Sequence, residues 1–213
     1  MGNYIKMIVV LVGISLVSGL LLGGLNAVTQ KDIEENVLRF KKVPAVMDIC
    51  QGFLGELSNA EKAELEKDLL ANRGEIEVKT GEGETATVEK VLYFIVKKDG
   101  KPHSIILESS GQGYGGAVGT MVGFNIQTGD FTGLGVTTHA ETPGVGSRVT
   151  EASFRSQFKG MKGDSTLKTK KDGGDIDAIS GATYSSRAVA DSAARAMELF
   201  KAHKADIMKT IKQ

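Results

Sequence analysis

The sequence predicts an α+β fold: helices first, then antiparallel strands, then one long closing helix, behind a single apolar N-terminal segment. Three observations predict it. Residues 7–28 contain no charged side chain. In the middle of the chain, apolar runs flank two turn signals, Lys98-Asp99-Gly100-Lys101 and Gln127-Thr128-Gly129-Asp130. Near the end, Val189, Ala193, Ala196 and Phe200 recur at helical spacing over residues 188–203. Strands gathered in one run and helices in others, rather than alternating, mark the α+β class.

The apolar segment comes first. A helix over residues 7–28, at about 1.5 Å per residue, is long enough for a ~30 Å hydrocarbon core. A cleaved signal peptide is the alternative, with a basic start, a shorter apolar run and small residues at the cleavage site. Here Lys6 is the only basic side chain before the run, and Leu25-Asn26-Ala27 is a poor cleavage site. The retained anchor is therefore the expectation. Ser15, Gly19 and Gly23 are spaced by four and share one helix face, which suits close approach of a partner helix. Lys31, Arg39, Lys41 and Lys42 follow the span, mixed with Asp32, Glu34 and Glu35. That basic count leans weakly toward a cytoplasmic domain, but large domains cross largely regardless of such charge.

The expected organisation is a transmembrane anchor over 1–30, a helical membrane-proximal segment over 31–74 and one folded domain over 75–213. Ser58-Asn59-Ala60-Glu61 reads as a capping box, with Leu65, Leu69 and Leu70 on one face after it and Gly74 as the stop. Strands are predicted over 91–96 and 104–107 across the Asp-Gly turn, and over 121–126 and 131–137 across the second. A short helix is predicted over 151–158. Residues 168–174, charged and glycine-tailed, read as a surface loop.

Composition narrows the function. The chain has 213 residues, 41% hydrophobic, room for one core of moderate size. Its 26 basic and 26 acidic residues balance, which gives no basic excess of the kind nucleic-acid binders show. Cys50 is the only cysteine, so neither an internal disulfide nor a cysteine zinc site follows; a buried structural thiol is its expected state. Three histidines without metal-ligand spacing give no metal site.

Three places carry candidate chemistry. Gly111-Gln112-Gly113-Tyr114-Gly115-Gly116 formally matches a dinucleotide fingerprint, but a strand rather than a helix is predicted after it. A tight glycine loop that lets a flat group approach the backbone fits better, with a plain connecting loop as the alternative. His139-Ala140-Glu141-Thr142-Pro143-Gly144-Val145-Gly146 follows a strand and crowds polar side chains on a rigid Pro-Gly turn, as a ligand-contacting loop does. Asp177-Ala178-Ile179-Ser180-Gly181-Ala182-Thr183-Tyr184-Ser185 leads into the closing helix, whose first turn presents free N–H groups to an anion. Thr183 sits about where an N-cap stands, and capping through its hydroxyl is the plain alternative to any role in chemistry.

Asp177-x-x-Ser180-Gly181-Ala182-Thr183 resembles the recognition motif of transferases that attach FMN to threonine. With it, His139-x-Glu141-Thr142-Pro143-Gly144-x-Gly146 and Gly113-Tyr114-Gly115-Gly116 resemble the G subunit of Rnf-type ion-translocating electron-transport complexes. The C subunit of the sodium-pumping NADH:quinone reductase shares the same FMN-binding superfamily. The resemblance covers essentially the whole chain. It implies FMN covalently bound by a phosphodiester to Thr183, and a domain on the extracytoplasmic side of the membrane. It also implies a redox role in a complex coupling ferredoxin and NAD to Na+ or H+ movement. On that reading Ser180, Gly181 and Ala182 are small so that the hydroxyl is reachable, and Asp177 is read by the transferase. Ser185 donates to phosphate, while Glu141, Thr142, Pro143, Gly144, Tyr114 and Gly115 line the flavin. The implied partners are the other subunits, the transferase and membrane lipid. A C-type subunit of the sodium pump, a stand-alone anchored flavoprotein reductase and a flavin-free binding module are the alternatives.

Overall fold

In a computed structural model, the chain is described over residues 2–80 and 87–210. It divides into two compact units, residues 1–40 and 41–213. The first is dominated by helix α1, Gly2–Val37, none of whose residues is buried. It is long and apolar enough to cross a membrane, and its 36 residues amount to roughly 54 Å of helix. A π-helical turn, Leu38–Lys42, spans the division.

The second unit holds α2 (Val43–Leu54), α3 (Asn59–Ala71), strands β1 (Arg73–Thr80), β2 (Thr87–Lys98), β3 (Lys101–Gln112), β4 (Ala117–Asn125) and β5 (Phe131–Thr138), a short α4 (Ala152–Arg155) and α5 (Thr183–Thr210). The five strands form one antiparallel sheet in sequence order, every neighbour joined by a short connection. The β2–β3 turn has Asp99 at φ 52° and Gly100 at φ 73°, the backbone of the hairpin turn that its Asp-Gly pair favours. At the β4–β5 turn, Asn125 accepts from the N–H groups of Gln127 (2.8 Å) and Thr128 (3.1 Å) through its side chain.

Alternation along the strands sends side chains to two helical layers. On one face Val91, Tyr93, Ile95, Ile105, Leu107, Val122 and Phe124 join Ala188, Val189, Ala193, Ala196 and Phe200 of α5 in the main core. Helix α5 lies on β3 and β4. The predicted stripe of Val189, Ala193, Ala196 and Phe200 is buried throughout. On the other face α2 lies on β4 and β5, with Val43, Val46, Ile49 and Cys50 buried. The contact is close: a Cβ on Gly135 would stand 2.9 Å from Cβ of Ala45. Lys42 bridges to Glu108 of β3 at 2.7 Å. Cys50 is fully buried and burial pushes its thiol up to about 12, so it stays protonated and unreactive, as a structural thiol does.

The capping box forms as expected. The Glu61 carboxylate accepts from Ser58 N–H at 2.8 Å, and Ser58 Oγ accepts from Glu61 N–H at 3.4 Å. Three local expectations change. Gly74 does not stop α3: the helix ends at Ala71 with Asn72 as its cap. Gly74 instead lies in β1 and pairs with Tyr93 of β2, where a Cβ would come within 2.3 Å of the Tyr93 hydroxyl. Strand β1 itself was not foreseen, and the other strands extend beyond their predicted cores. The loop over 168–174 is not wholly superficial, because Thr169 is fully buried and bridges in parallel to Ile176.

Candidate functional site

Three loops meet at the N-terminal end of α5 around a cleft of about 210 Å³ lined by Tyr114, Glu141, Thr142, Val145, Gly146, Gly181, Ala182, Thr183, Tyr184 and Ser185. Each loop is built for its place. Residues 179–182 form a β-turn closed by Ala182 N–H donating to Ile179 C=O at 3.0 Å. Gly181 stands at its third position with φ 81°, the left-handed value that glycine adopts without penalty. Ser186 fastens this turn to the helix: its hydroxyl accepts from Ile179 N–H at 3.0 Å and donates to Ala182 C=O at 2.9 Å. Residues 142–145 form a second turn of the same kind, with Pro143 and Gly144 (φ 72°) at its centre. There Val145 N–H donates to Thr142 C=O at 3.2 Å.

Glu141 ties the loops together. It is buried, and one carboxylate oxygen accepts from Gly115 N–H at 3.0 Å. The other accepts a very short hydrogen bond from the buried Ser185 hydroxyl. The cage is tight: a Cβ on Gly146 would lie 2.6 Å from both Glu141 Oε2 and Ser185 Oγ, and one on Gly113 would lie 2.3 Å from Glu141 Oε1. Only glycine fits at these two positions. A buried carboxylate with both oxygens satisfied by fixed donors is a strong anchor, and it fastens the two loops to the helix end.

Thr183 is the first residue of α5, not its cap. The first intrahelical bond runs from Ser186 N–H to Ala182 C=O at 3.0 Å. The N–H groups of Thr183, Tyr184 and Ser185 therefore have no intrahelical acceptor. Among the described residues, the half-buried Thr183 hydroxyl has no hydrogen-bond partner. Capping is thus not what this hydroxyl does here. It stands in the cleft beside free donors at the positive end of a 28-residue helix.

The predicted residues divide accordingly. Tyr114, Glu141, Thr142, Gly181, Ala182, Thr183 and Ser185 line the cleft; Gly115 contributes its N–H to Glu141; Pro143, Gly144 and Ser180 shape the turns from outside the lining. The Ser185 hydroxyl is engaged with Glu141 rather than open to a ligand. Asp177 lies on the surface, its main chain held by Gln157 (2.8 Å to Oε1) and its carboxylate paired with Lys170 at 2.7 Å. Tyr184, Val145 and Ser186 had no role assigned from the sequence. The only advance signal for Ser186 was its place one turn into the helix.

Beside the cleft, Arg187 donates to both oxygens of Asp172, at 2.8 and 2.6 Å. Those bonds, with a further one from the Thr169 hydroxyl, hold the Asp172 carboxyl down at about 2. No group of acidic, histidine or cysteine side chains suited to a metal occurs among the described residues.

Comparison with known proteins places this geometry. Residues 113–198, which contain all three loops, match the FMN-binding domain. The G subunit of an ion-translocating oxidoreductase complex from Methanosarcina acetivorans is 33% identical over 154 residues, 71% of this chain and 81% of the relative. The G subunit of a proton-translocating ferredoxin:NAD(+) oxidoreductase complex from Clostridium ljungdahlii is 32% identical over 108 residues, 50% of this chain and 58% of the relative. The chain thus spans little more than half of that second relative's length. Among solved structures, the C subunit of the Na(+)-translocating NADH-quinone reductase from Parabacteroides distasonis has a TM-score of 0.50 over 71% of this chain and 86% of its own, at 19% identity. That likeness is one of fold.

Proposed function

Because the chain belongs to the family of G subunits of ion-translocating oxidoreductase complexes, we propose that it carries electrons through FMN bound to Thr183 by a phosphodiester. The coarser part of this reading, a flavoprotein redox subunit of a membrane translocase, rests on the family and on the FMN-binding match. The finer part rests on one observation: the Thr183 hydroxyl, unpartnered among the described residues, stands in the cleft at the start of α5.

The residues present fit the group. The unpaired N–H groups of the first helical turn would hold a phosphate on Thr183 Oγ1, since both hydrogen bonding and the helix dipole there favour an anion. Ser180, Gly181 and Ala182 keep side chains small on the approach. The cleft is smaller than the ~300–1,000 Å³ usual for a ligand pocket, so it holds part of a nucleotide and encloses little of it. A covalent tether suits such a site, since weak enclosure does not retain a dissociable cofactor. When bound, FMN supplies one- and two-electron chemistry that no side chain of this domain provides. Glu141 and Ser185 keep the helix end and both loops in register, and Asp177, exposed with its main chain pinned, is the feature offered to the transferase.

Helix α1 is assigned to the membrane, with the flavin domain on the extracytoplasmic side. Partner subunits take electrons between ferredoxin and NAD, as the name of the Clostridium relative suggests, with Na+ or H+ as the coupled ion. The C-type subunit of a sodium pump is the second reading; sequence identity favours the G family over it.

The test is co-expression with a flavin transferase, denaturation in SDS and inspection of the gel for flavin fluorescence. The wild-type band is expected to fluoresce and the Thr183→Val band to be dark. A dark wild-type band, beside a second target that the same transferase labels, would overturn the reading.

A further inference from the structure

Two tyrosines are the most exposed aromatic side chains of the domain that carries the cleft, Tyr114 at 77% and Tyr184 at 64%. They come from different loops, 70 positions apart in the chain (184 minus 114). The fold nevertheless brings their rings to 6.3 Å between centroids, tilted by 55°. Both line the cleft with Thr183. A folded protein gains little by placing two large rings in water beside each other unless something covers them.

The supports of the two rings differ from ordinary surface side chains. The Tyr114 main chain sits in a loop pinned by Gly113 N–H on Gly116 C=O at 2.8 Å and by Gly115 N–H on Glu141 at 3.0 Å. Tyr184 is the second residue of α5, and Arg187 lies one turn further on with its guanidinium carbon 5.9 Å from the Tyr184 ring centroid. That guanidinium is fixed in turn, both of its contacts to Asp172 being short, and Asp172 is held by the buried Thr169 hydroxyl at 2.5 Å. A cation over a ring attracts it, which biases the rotamer of Tyr184.

We propose that Tyr184 and Tyr114 form an aromatic seat for the flavin ring, and that the Arg187–Asp172 pair is the positioning device that holds Tyr184 in place. The inference rests on the Thr183 reading and adds the recognition of the ring to it. Centroids 6.3 Å apart leave less than the roughly 7 Å that a flat ring inserted between two parallel rings requires, twice the ~3.5 Å carbon contact distance. The tilt makes a V instead, in which one phenol stacks on a flat heteroaromatic and the other meets it at an edge, the two arrangements aromatic pairs favour. Tyr184, adjacent to the tether in sequence, carries the stacked contact.

The experiment uses the full chain loaded with flavin in cells. An SDS gel measures covalent flavin per chain, and emission of the native protein in detergent is then expressed per covalent flavin. A phenol stacked on a flavin quenches its emission by lending an electron that returns at once, so the native wild type is expected to be dim relative to its denatured form. Tyr184→Leu with Tyr114→Leu is expected to raise native emission severalfold at equal loading, and Arg187→Leu to raise it by a smaller factor. Both tyrosines are exposed, so their loss leaves the core intact. Equal native emission from wild type and double variant, each with a fluorescent SDS band, would overturn the seat while leaving the tether standing. A dark SDS band in the wild type would instead remove the tether on which the seat depends.

Discussion

At the scale of single residues, the site turns on what each side chain is already engaged in. Glu141 was expected to line the flavin, and it does reach the cleft, yet both carboxylate oxygens are taken by Gly115 N–H and the Ser185 hydroxyl. Glu141→Ala leaves the buried Ser185 hydroxyl without its acceptor, at about 1–3 kcal/mol, and frees the N–H of the exposed Gly115 to water. Urea unfolding should show a clear fall in midpoint, with Glu141→Gln losing less because its amide can serve the same two partners. Gly181 acts through its backbone rather than through space, since a Cβ there would meet nothing within 4 Å. Gly181→Ala must therefore distort the turn before Thr183, at a cost of about 1–2 kcal/mol for the left-handed conformation. Covalent flavin per chain, read on an SDS gel, is expected to drop, with the thermal midpoint lower by roughly 2–8 °C. Thr183, Gly181 and Glu141 were legible from their motifs. The partnership of Glu141 with Ser185 was not, because it joins residues 44 apart that no local pattern connects.

At the scale of elements, two packings position the cleft. Helix α2 lies close on β5 because Gly135 faces Ala45. Gly135→Val should force the helix outward and cost about 1–3 kcal/mol through overpacking, visible as a lower denaturation midpoint with the SDS-gel flavin band retained. Helix α5 is joined to the 169–172 turn by the Arg187–Asp172 pair. The Asp172 carboxyl lies at about 2, below its ordinary 3.8, so the folded state binds its proton less readily than the unfolded chain does. Its contribution to stability is fully present above the ordinary value and is lost as pH falls through about 2. The difference in urea midpoint between wild type and Arg187→Leu should therefore shrink toward zero across that window, and a constant difference would speak against the pair. The α5 stripe and the Asp-Gly hairpin followed from periodicity and turn chemistry. Strand β1 is also present in the pattern, Ile76 and Val78 alternating with Glu75, Glu77 and Lys79 and packing on the core, but Gly74 was read as the end of a helix and the charged positions, weak strand formers, hid a strand that pairing with β2 completes.

At the scale of the whole molecule, residues 41–213 form a compact unit with its own core, while α1 has no buried residue. Deleting residues 1–40 is expected to release the protein from the membrane fraction and leave its cooperative unfolding transition in place; a deletion variant that aggregates without such a transition would contradict the division. The sequence by itself determined the elements whose cause is local: an uncharged span, two hairpins with their turn residues, a capped helix, an apolar stripe, and a threonine in a turn of small residues. It also carried enough of its family's motifs to indicate the cofactor. Only the tertiary structure decided how the pieces meet. Hydrogen bonds between residues 26 and 44 positions apart gather the three loops, the fold brings Tyr114 to Tyr184, and the helix starts at Thr183 rather than after it. Periodicity and turn propensity act over a few residues, whereas a cleft exists only where distant segments bury each other's polar groups, and that pairing is settled by packing of the whole domain.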